Sequence, residues 1–385
     1  MKKRSKTVYL RTTTVPESIE ILLEGQPEFL TKQGFDVHLA SSGQLDERLS
    51  HFKHHSIPFN RRIDLLGDIK ALWSIITVIQ NIKPDIIHSH TPKAGLLTML
   101  GGSICGTKFR IHTVAGLPQT TASGFTRAIL TFSEFITYAC ATKIYFNSFQ
   151  QMEAQKKAFP IYKDKMNIIW NGSSNGIDIN HYRPYKKDTI LLQQNDLNNS
   201  CFTWMFIGRL HADKGIYELI EAYQKFESKY PHQTQLVLVG GLDPARNSIT
   251  NMWIAKIMKE TPSIRFVGHQ KNIPNWLSLA DVFIFPSHRE GFPNAPLQAA
   301  CMGIPVIATD INGCNELIQD GINGYLVKVK DPMTIYKRMV ELYSSPTLRK
   351  SMGAKSLEIV PKRFNRKDFH FALLNEYQNI LNQNL

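Results

Sequence analysis

The sequence predicts an α/β protein of two domains, each a parallel sheet covered by helices, the sheets facing across a cleft. Three observations carry the prediction. Short β-branched and aromatic runs alternate with longer segments of helical period along the whole chain. The alternation is interrupted once, by a polar stretch between Arg183-Pro184 and Ser200, and then restarts. At 385 residues the chain exceeds one ordinary core and suits two domains of roughly 150–200 residues.

In the first half, strands are expected at 7–10, 36–40, 85–88, 110–113, 143–146 and 166–169. A helix over 19–33 would stop at Gly34, and another over 69–81 would end before Pro84. After the polar stretch come strands at 202–208, 235–240, 264–268, 282–286 and 305–308, with helices at 216–230, 274–279 and 296–302. Strands this apolar, each followed by a crossover helix, belong to parallel sheets buried on both faces. The expected domains are 1–182 and 200–365, joined by a linker, with a last helix at 366–385 packing back on the first domain. Tandem sheets of this kind bind ligands at the carboxyl ends of their strands, in the cleft.

Composition narrows the partners. Lys and Arg number 45 against 32 Asp and Glu, a formal charge of +13. The excess is spread evenly, 21 against 14 in the first 180 residues and 24 against 18 in the rest. A phosphorylated substrate, an anionic membrane surface and nucleic acid are all compatible with it, as is a role in solubility alone. Nucleic acid would rest on charge only, since no RNA- or DNA-binding module is visible. The five cysteines form no CxxC pair, which suits a reducing cytoplasm and argues against a metal cluster. The N-terminus, with Lys2-Lys3-Arg4, has no apolar signal core, and the longest apolar-looking stretch, 94–105, contains three glycines. The expectation is a cytoplasmic protein that meets a membrane, if at all, from the surface of its inner face.

The most informative stretch runs from Phe283 to Ala300: a strand, a tight Gly/Pro loop and a helix whose first turn tolerates Pro296. The free first-turn amides and the helix dipole make a phosphate site. Glu290 stands in the loop and Gln298 eight residues on. That spacing places a carboxylate near a sugar and a second polar group near a ribose, although a plain structural loop would read the same way.

A second stretch, Gly208-Arg209-Leu210-His211-Ala212-Asp213-Lys214-Gly215, follows a strand and delivers two cations to the start of a helix, where they can converge on a diphosphate. It is not a Walker loop, because the GxxxxGK[ST] spacing is absent. In the first half His112 would project from a strand end beside a Gly-containing loop, as many purely structural histidines do. His88-Ser89-His90 raises a metal reading, but no carboxylate or third histidine is near in sequence. A nicotinamide-dependent oxidoreductase would need a GxGxxG turn after the first strand, yet no glycine follows Leu10 until Gly25.

These motifs resemble the large retaining glycosyltransferase family of the two-Rossmann type (GT-B), which includes many capsule and lipopolysaccharide assembly enzymes. Its signature is a Glu, a Gly-Phe pair and a second Glu eight residues after the first. The match runs through Glu290, Gly291, Phe292, Asn294, Ala295 and Leu297 and departs at Gln298. The resemblance implies that Glu290 and His112 stand at the donor sugar as catalytic residues. It implies that Gly208, Arg209 and Lys214 hold the nucleotide diphosphate, with Gly291, Phe292, Asn294, Ala295, Leu297 and Gln298 completing the donor site. It places Lys93 toward the acceptor and makes 171–178 hinge and cleft wall, whereas the loop 11–18, with Thr13, departs from the family by lacking glycines and is expected to serve the acceptor. The implied reaction moves a hexose or N-acetylhexosamine from a nucleotide-diphosphate sugar, a UDP-sugar first, to a lipid-linked glycan acceptor in surface polysaccharide assembly. Neither metal nor cofactor is expected. A non-catalytic nucleotide-sugar-binding protein is the alternative, and Gln298 is the residue in its favour.

Overall fold

The computed structural model describes residues 6–60, 64–120, 122–242 and 249–382. Two compact units emerge, Met1–Gly176 with Lys367–Leu385, and Ile177–Arg366.

The first unit is built on seven strands: β1 Val8–Thr12, β2 Asp36–Ser41, β3 Lys53–Ser56, β4 Ile86–His90, β5 Phe109–Val114, β6 Lys143–Phe146 and β7 Met166–Ile168. They form one sheet in the order β3-β2-β1-β4-β5-β6-β7, with every pairing parallel. The chain winds outward from β1 and returns to β4, so the winding reverses between these neighbours. Their carboxyl ends, at Thr13 and Thr91, are the ligand-binding position of a doubly wound sheet. One face of the sheet is covered by the last helix, Arg366–Asn382, whose Phe369, Leu373 and Tyr377 share a core with Tyr9, Phe35 and Ile111.

The second unit repeats the plan with β8 Phe202–Ile207, β9 Thr234–Val239, β10 Ile264–Phe266, β11 Val282–Phe285, β12 Val306–Thr309 and β13 Gly324–Val327, in the order β10-β9-β8-β11-β12-β13 and again all parallel. Here the winding reverses between β8 and β11.

Several expectations need correction. The helix expected over 19–33 is two helices, Pro16–Leu22 and Gln26–Lys32, separated by Gly25 in a left-handed conformation (φ 76°). Pro27 explains the break, since it has no amide hydrogen to continue an earlier helix but fits the first turn of a new one. Strands β3 and β13, absent from the sequence-based expectation, are short edge strands, and Lys-His-His-Ser carries no apolar residue. The polar stretch 183–199 is not a loose linker. It folds into the helix Thr189–Gln194, capped by Asp188, and buries Leu192 and Leu197 in the core of the second unit. The apolar helix Leu65–Ile82, not 94–105, is the one among the described residues long and apolar enough to cross a membrane. Its Ala71, Ile75, Ile76 and Ile79 are buried, which makes it a covering helix of the sheet.

Candidate active site

The reversal between β8 and β11 brings the two basic and acidic motifs of the second unit together. After β8 the chain turns through His211, whose Nδ1 accepts from the Asp213 amide at 3.1 Å, into a short turn ending at Gly215. Gly215 adopts φ 71°, and a Cβ there would collide with the carbonyl oxygen of Pro286 just beyond β11. Glycine therefore lets one loop lie directly on the other. Polar bonds tie the pair: the His288 amide donates to the Asp213 carbonyl at 2.7 Å, and Arg289 donates to the Asp213 carboxylate at 3.1 Å.

At the centre, Lys214 Nζ donates to Glu290 Oε1 in an ion pair. Both side chains are largely buried, 17% and 16% exposed. The same carboxylate oxygen accepts from Ser287 Oγ at 2.9 Å. Lys214 also lies 5.7 Å from the centre of the Phe285 ring. Arg209 is exposed on the same loop as Lys214. The helix Asn294–Cys301 follows, entered from Pro293, and no side chain caps its first turn. The amides of Asn294 and Ala295 thus point toward the loop end as donors.

Phe292 and Leu297 play a different part from the one the motif suggests. Leu297 is fully buried in the core, and Phe292, 6% exposed, packs against the Phe364 ring at 5.2 Å. Their side chains hold the loop in shape, leaving only backbone to offer a donor. Gln298 is partly buried, and its Nε2 donates to the Tyr182 hydroxyl at 2.8 Å. Its amide oxygen has acceptor capacity toward a ribose hydroxyl. Tyr182 carries no motif that marks it as a site residue. It lies 116 residues from Gln298, and no local pattern links them.

In the first unit, His112 sits on β5, 2% exposed, with Nδ1 2.8 Å from Ser89 Oγ of neighbouring β4. Gly95, in the helix Pro92–Ile104, makes room for the ring, since a Cβ there would lie 2.8 Å from His112 Nδ1. Burial, and then the nearby Arg11 guanidinium, push the imidazole down to about 3. The ring is therefore neutral at physiological pH, and its Nδ1 is engaged with Ser89.

Thr13 and Lys93, the residues expected toward the acceptor, both have partners within the first unit. Thr13 is fully buried and its hydroxyl donates to the Val15 carbonyl at 2.8 Å, shaping the loop after β1. Lys93 pairs with Asp68 at 2.5 Å, so its charge is already matched. Beside them at the reversal of the sheet stand Thr14 and Thr91, whose hydroxyls lie 2.8 Å apart. Among the described residues no group of three His, Cys, Asp or Glu that could hold a metal includes His88 or His90. Both nitrogens of His88 are engaged, Nδ1 with Tyr377 at 2.5 Å and Nε2 with Thr113 at 2.7 Å. In the segment 171–178, Asn175 is buried and joins His370 Nε2 at 2.8 Å.

Family models place this geometry. Residues 19–148 match the "Glycosyl transferase 4-like" model and residues 201–345 the "Glycosyl transferases group 1" model. The capsular polysaccharide biosynthesis glycosyltransferase CapM of Staphylococcus aureus is 31% identical over 388 aligned positions, 99% of each chain. The chain is a glycosyltransferase of this family. The transferase is also 26% identical, over 83% of each chain, to the UDP-Gal:alpha-D-GlcNAc-diphosphoundecaprenol alpha-1,3-galactosyltransferase of Escherichia coli. Its fold is that of Anabaena HepE, solved in complex with UDP and glucose (TM-score 0.79, 18% identity, 97% of this chain and 100% of that one). It is equally that of sucrose-phosphate synthase from Thermosynechococcus elongatus (TM-score 0.80, 19% identity, 97% and 99%). The transferase thus has the two-Rossmann fold read from its sequence, and its Lys214–Glu290 pair lies in the segment matched to the group 1 model.

Proposed function

We propose that the enzyme transfers a hexose or N-acetylhexosamine from a UDP-sugar to a lipid-linked glycan acceptor, with retention of the anomeric configuration, in surface polysaccharide assembly. The observation that carries this reading is the Lys214–Glu290 pair at the β8–β11 reversal, beside the uncapped first turn of Asn294–Cys301. A diphosphate fits there because Arg209, Lys214 and the first-turn amides supply positive charge and donors to its oxygens. Glu290 is then placed to accept from hydroxyls of the donor sugar. Its carboxylate is tethered by Lys214 and Ser287, which suits orientation better than nucleophilic attack. The bond from the anomeric carbon to the diphosphate breaks while the acceptor oxygen bonds on the same face, and the acceptor proton passes to the departing phosphate oxygen. The names of the relatives support the substrate classes. The S. aureus protein is a capsular enzyme, and the E. coli one uses UDP-Gal and a diphosphoundecaprenol-linked sugar.

With a lipid-linked acceptor, the reading extends to peripheral binding at the inner face of the plasma membrane. Exposed apolar side chains of the first unit support this: Leu65, Leu66 and Trp73 on one helix, Phe125 and Phe132 on another. Lys2, Lys3, Arg4, Arg61 and Arg62, the basic residues expected from the sequence to meet anionic head groups, lie outside the described residues. A panel of nucleotide sugars with a polyprenyl-diphosphate-linked sugar, read by product mass and anomeric NMR coupling, tests the reaction. Transfer from a UDP-sugar with retention is expected. Inversion would overturn the stereochemical assignment, and donor binding without transfer or hydrolysis would favour the non-catalytic alternative.

A further inference from the structure

The loop that carries Glu290 is fastened by more than the Glu290 side chain. Residues 287–290 leave β11 and lie on the turn 211–215 that leaves β8. The Ser287 carbonyl accepts from Thr309 Oγ at the end of β12. The next residue, His288, is held twice. Its amide donates to the Asp213 carbonyl, and its ring Nε2 lies 2.9 Å from Glu218 Oε1, 70 residues away in the chain. Glu218 stands in the first turn of the helix Ile216–Lys229. A glutamate at that position commonly reaches back to the N-cap amide. Here the N-cap amide, that of Gly215, already donates to the Ala212 carbonyl at 2.8 Å. The Glu218 side chain extends to the other loop instead.

Both side chains of this pair are mostly buried. A carboxylate only accepts, so Nε2 carries the hydrogen and the ring is held in one orientation. The strand and the helix do not depend on the bond for their place. Phe285 on β11 and Ile216 and Leu219 on the helix are buried in the core of the second unit, and apolar burial of that kind anchors both elements. What the polar pair adds is a fixed spacing between the two loops, two residues before Glu290.

We infer that Glu218 and His288 are positioning residues for Glu290, setting how far its carboxylate stands from the donor sugar. The inference rests on the reading of Glu290 as a sugar ligand given above. Lys214 cannot set that distance by itself, because its flexible four-carbon stem follows the carboxylate through small displacements. A planar imidazole, bonded at its ring edge and held at its own backbone, allows much less play. Misplacing a reacting group by about 1 Å costs on the order of a hundredfold in rate, so a loosened loop should cost on the order of tenfold.

The test is steady-state kinetics of the full-length enzyme with a UDP-sugar and a polyprenyl-diphosphate-linked sugar. Glu218→Ala and His288→Ala should each lower kcat on the order of tenfold and change the donor KM less than about twofold. The double variant should be no slower than either single one. Glu218→Asp keeps the charge but is one methylene too short, and should match Glu218→Ala. Glu218→Gln, whose amide oxygen can still accept from Nε2, should restore most of the rate. In a Glu290→Gln background, His288→Ala should cost less than about twofold, because the group it positions is gone. Unchanged kcat in both alanine variants, or an undiminished loss in the Glu290→Gln background, would overturn the assignment. Should the alanine variants fail to fold, Glu218→Asp against Glu218→Gln decides, and equal rates refute the role. Intact turnover in Glu290→Gln would remove the donor-sugar reading and this role with it. A slow Glu290→Gln beside a full-rate His288→Ala removes this role alone.

Discussion

Lys214 and Glu290, 76 residues apart in the chain, close an ion pair in which both side chains are largely buried. One follows β8 and the other follows β11, and these strands are neighbours only because the winding reverses between them. The residue read as a diphosphate ligand and the residue read as a sugar ligand therefore set each other's position. Glu290→Gln should lower kcat on the order of a hundredfold through loss of a transition-state contact. Because the two residues act as a unit, adding Lys214→Met should cost much less than the product of the single effects. Steady-state kinetics of the two single variants and the double variant check this, and intact turnover in Glu290→Gln would refute the assignment.

Gln298→Glu should tighten nucleotide binding by about 1 kcal/mol, the difference between a charge-assisted and a neutral hydrogen bond to a ribose hydroxyl. The new carboxylate can still bond Tyr182, by accepting from its hydroxyl where Gln298 now donates. Calorimetric titration with UDP measures the change. Weaker binding in Gln298→Glu would mean that the side chain does not face the nucleotide.

Gly95 and His112 offer a test in the first unit. A methyl group at position 95 would occupy the space of the imidazole. Gly95→Ala should therefore push the ring away from Ser89 and reduce kcat/KM about as much as His112→Ala does, while far-ultraviolet circular dichroism stays unchanged. Full activity in Gly95→Ala would separate His112 from catalysis.

Stability should fall in acid. His88, His90 and His112 are held neutral by burial, His112 with a value pushed down to about 3. Their contribution is present above the unfolded value of about 6.5 and is lost as pH falls, by up to about 1.4 kcal/mol per group per pH unit. Glu134, buried in the helix Gly124–Cys140, has the opposite sign, since burial raises it to about 7. Its contribution is present below its unfolded value and is lost as pH rises through about 7. The three histidines outweigh it, so the melting temperature should drop between pH 7 and pH 5. Glu134→Gln should stabilise the protein at pH 8 and steepen the acid loss. A melting temperature that is flat or rises toward pH 5 would contradict these assignments.

Transfer should need no divalent ion, with Arg209 and Lys214 neutralising the departing diphosphate. Activity should survive exhaustive chelation. Loss with chelator and recovery with a divalent ion would point instead to metal-assisted departure.

Much of this architecture is legible in the sequence because it is written locally. Apolar runs of strand length and helices of regular period disclose the parallel sheets. The stretches around Lys214 and Glu290 stand out because glycines and prolines punctuate them at strand ends. Edge strands such as Lys53–Ser56 do not stand out, since an edge strand needs no apolar run. Side-chain partnership was decided by the tertiary structure alone. Nothing near Lys93 announces Asp68, nothing near Gln298 announces Tyr182, and Arg11 looks like any solvated arginine until a helix from the far end of the chain covers it. The physical reason is that spacing along a chain fixes which way a residue faces on its own strand or helix. What meets it there depends on strand order and on the return of distant segments, and these are settled only when the cores close.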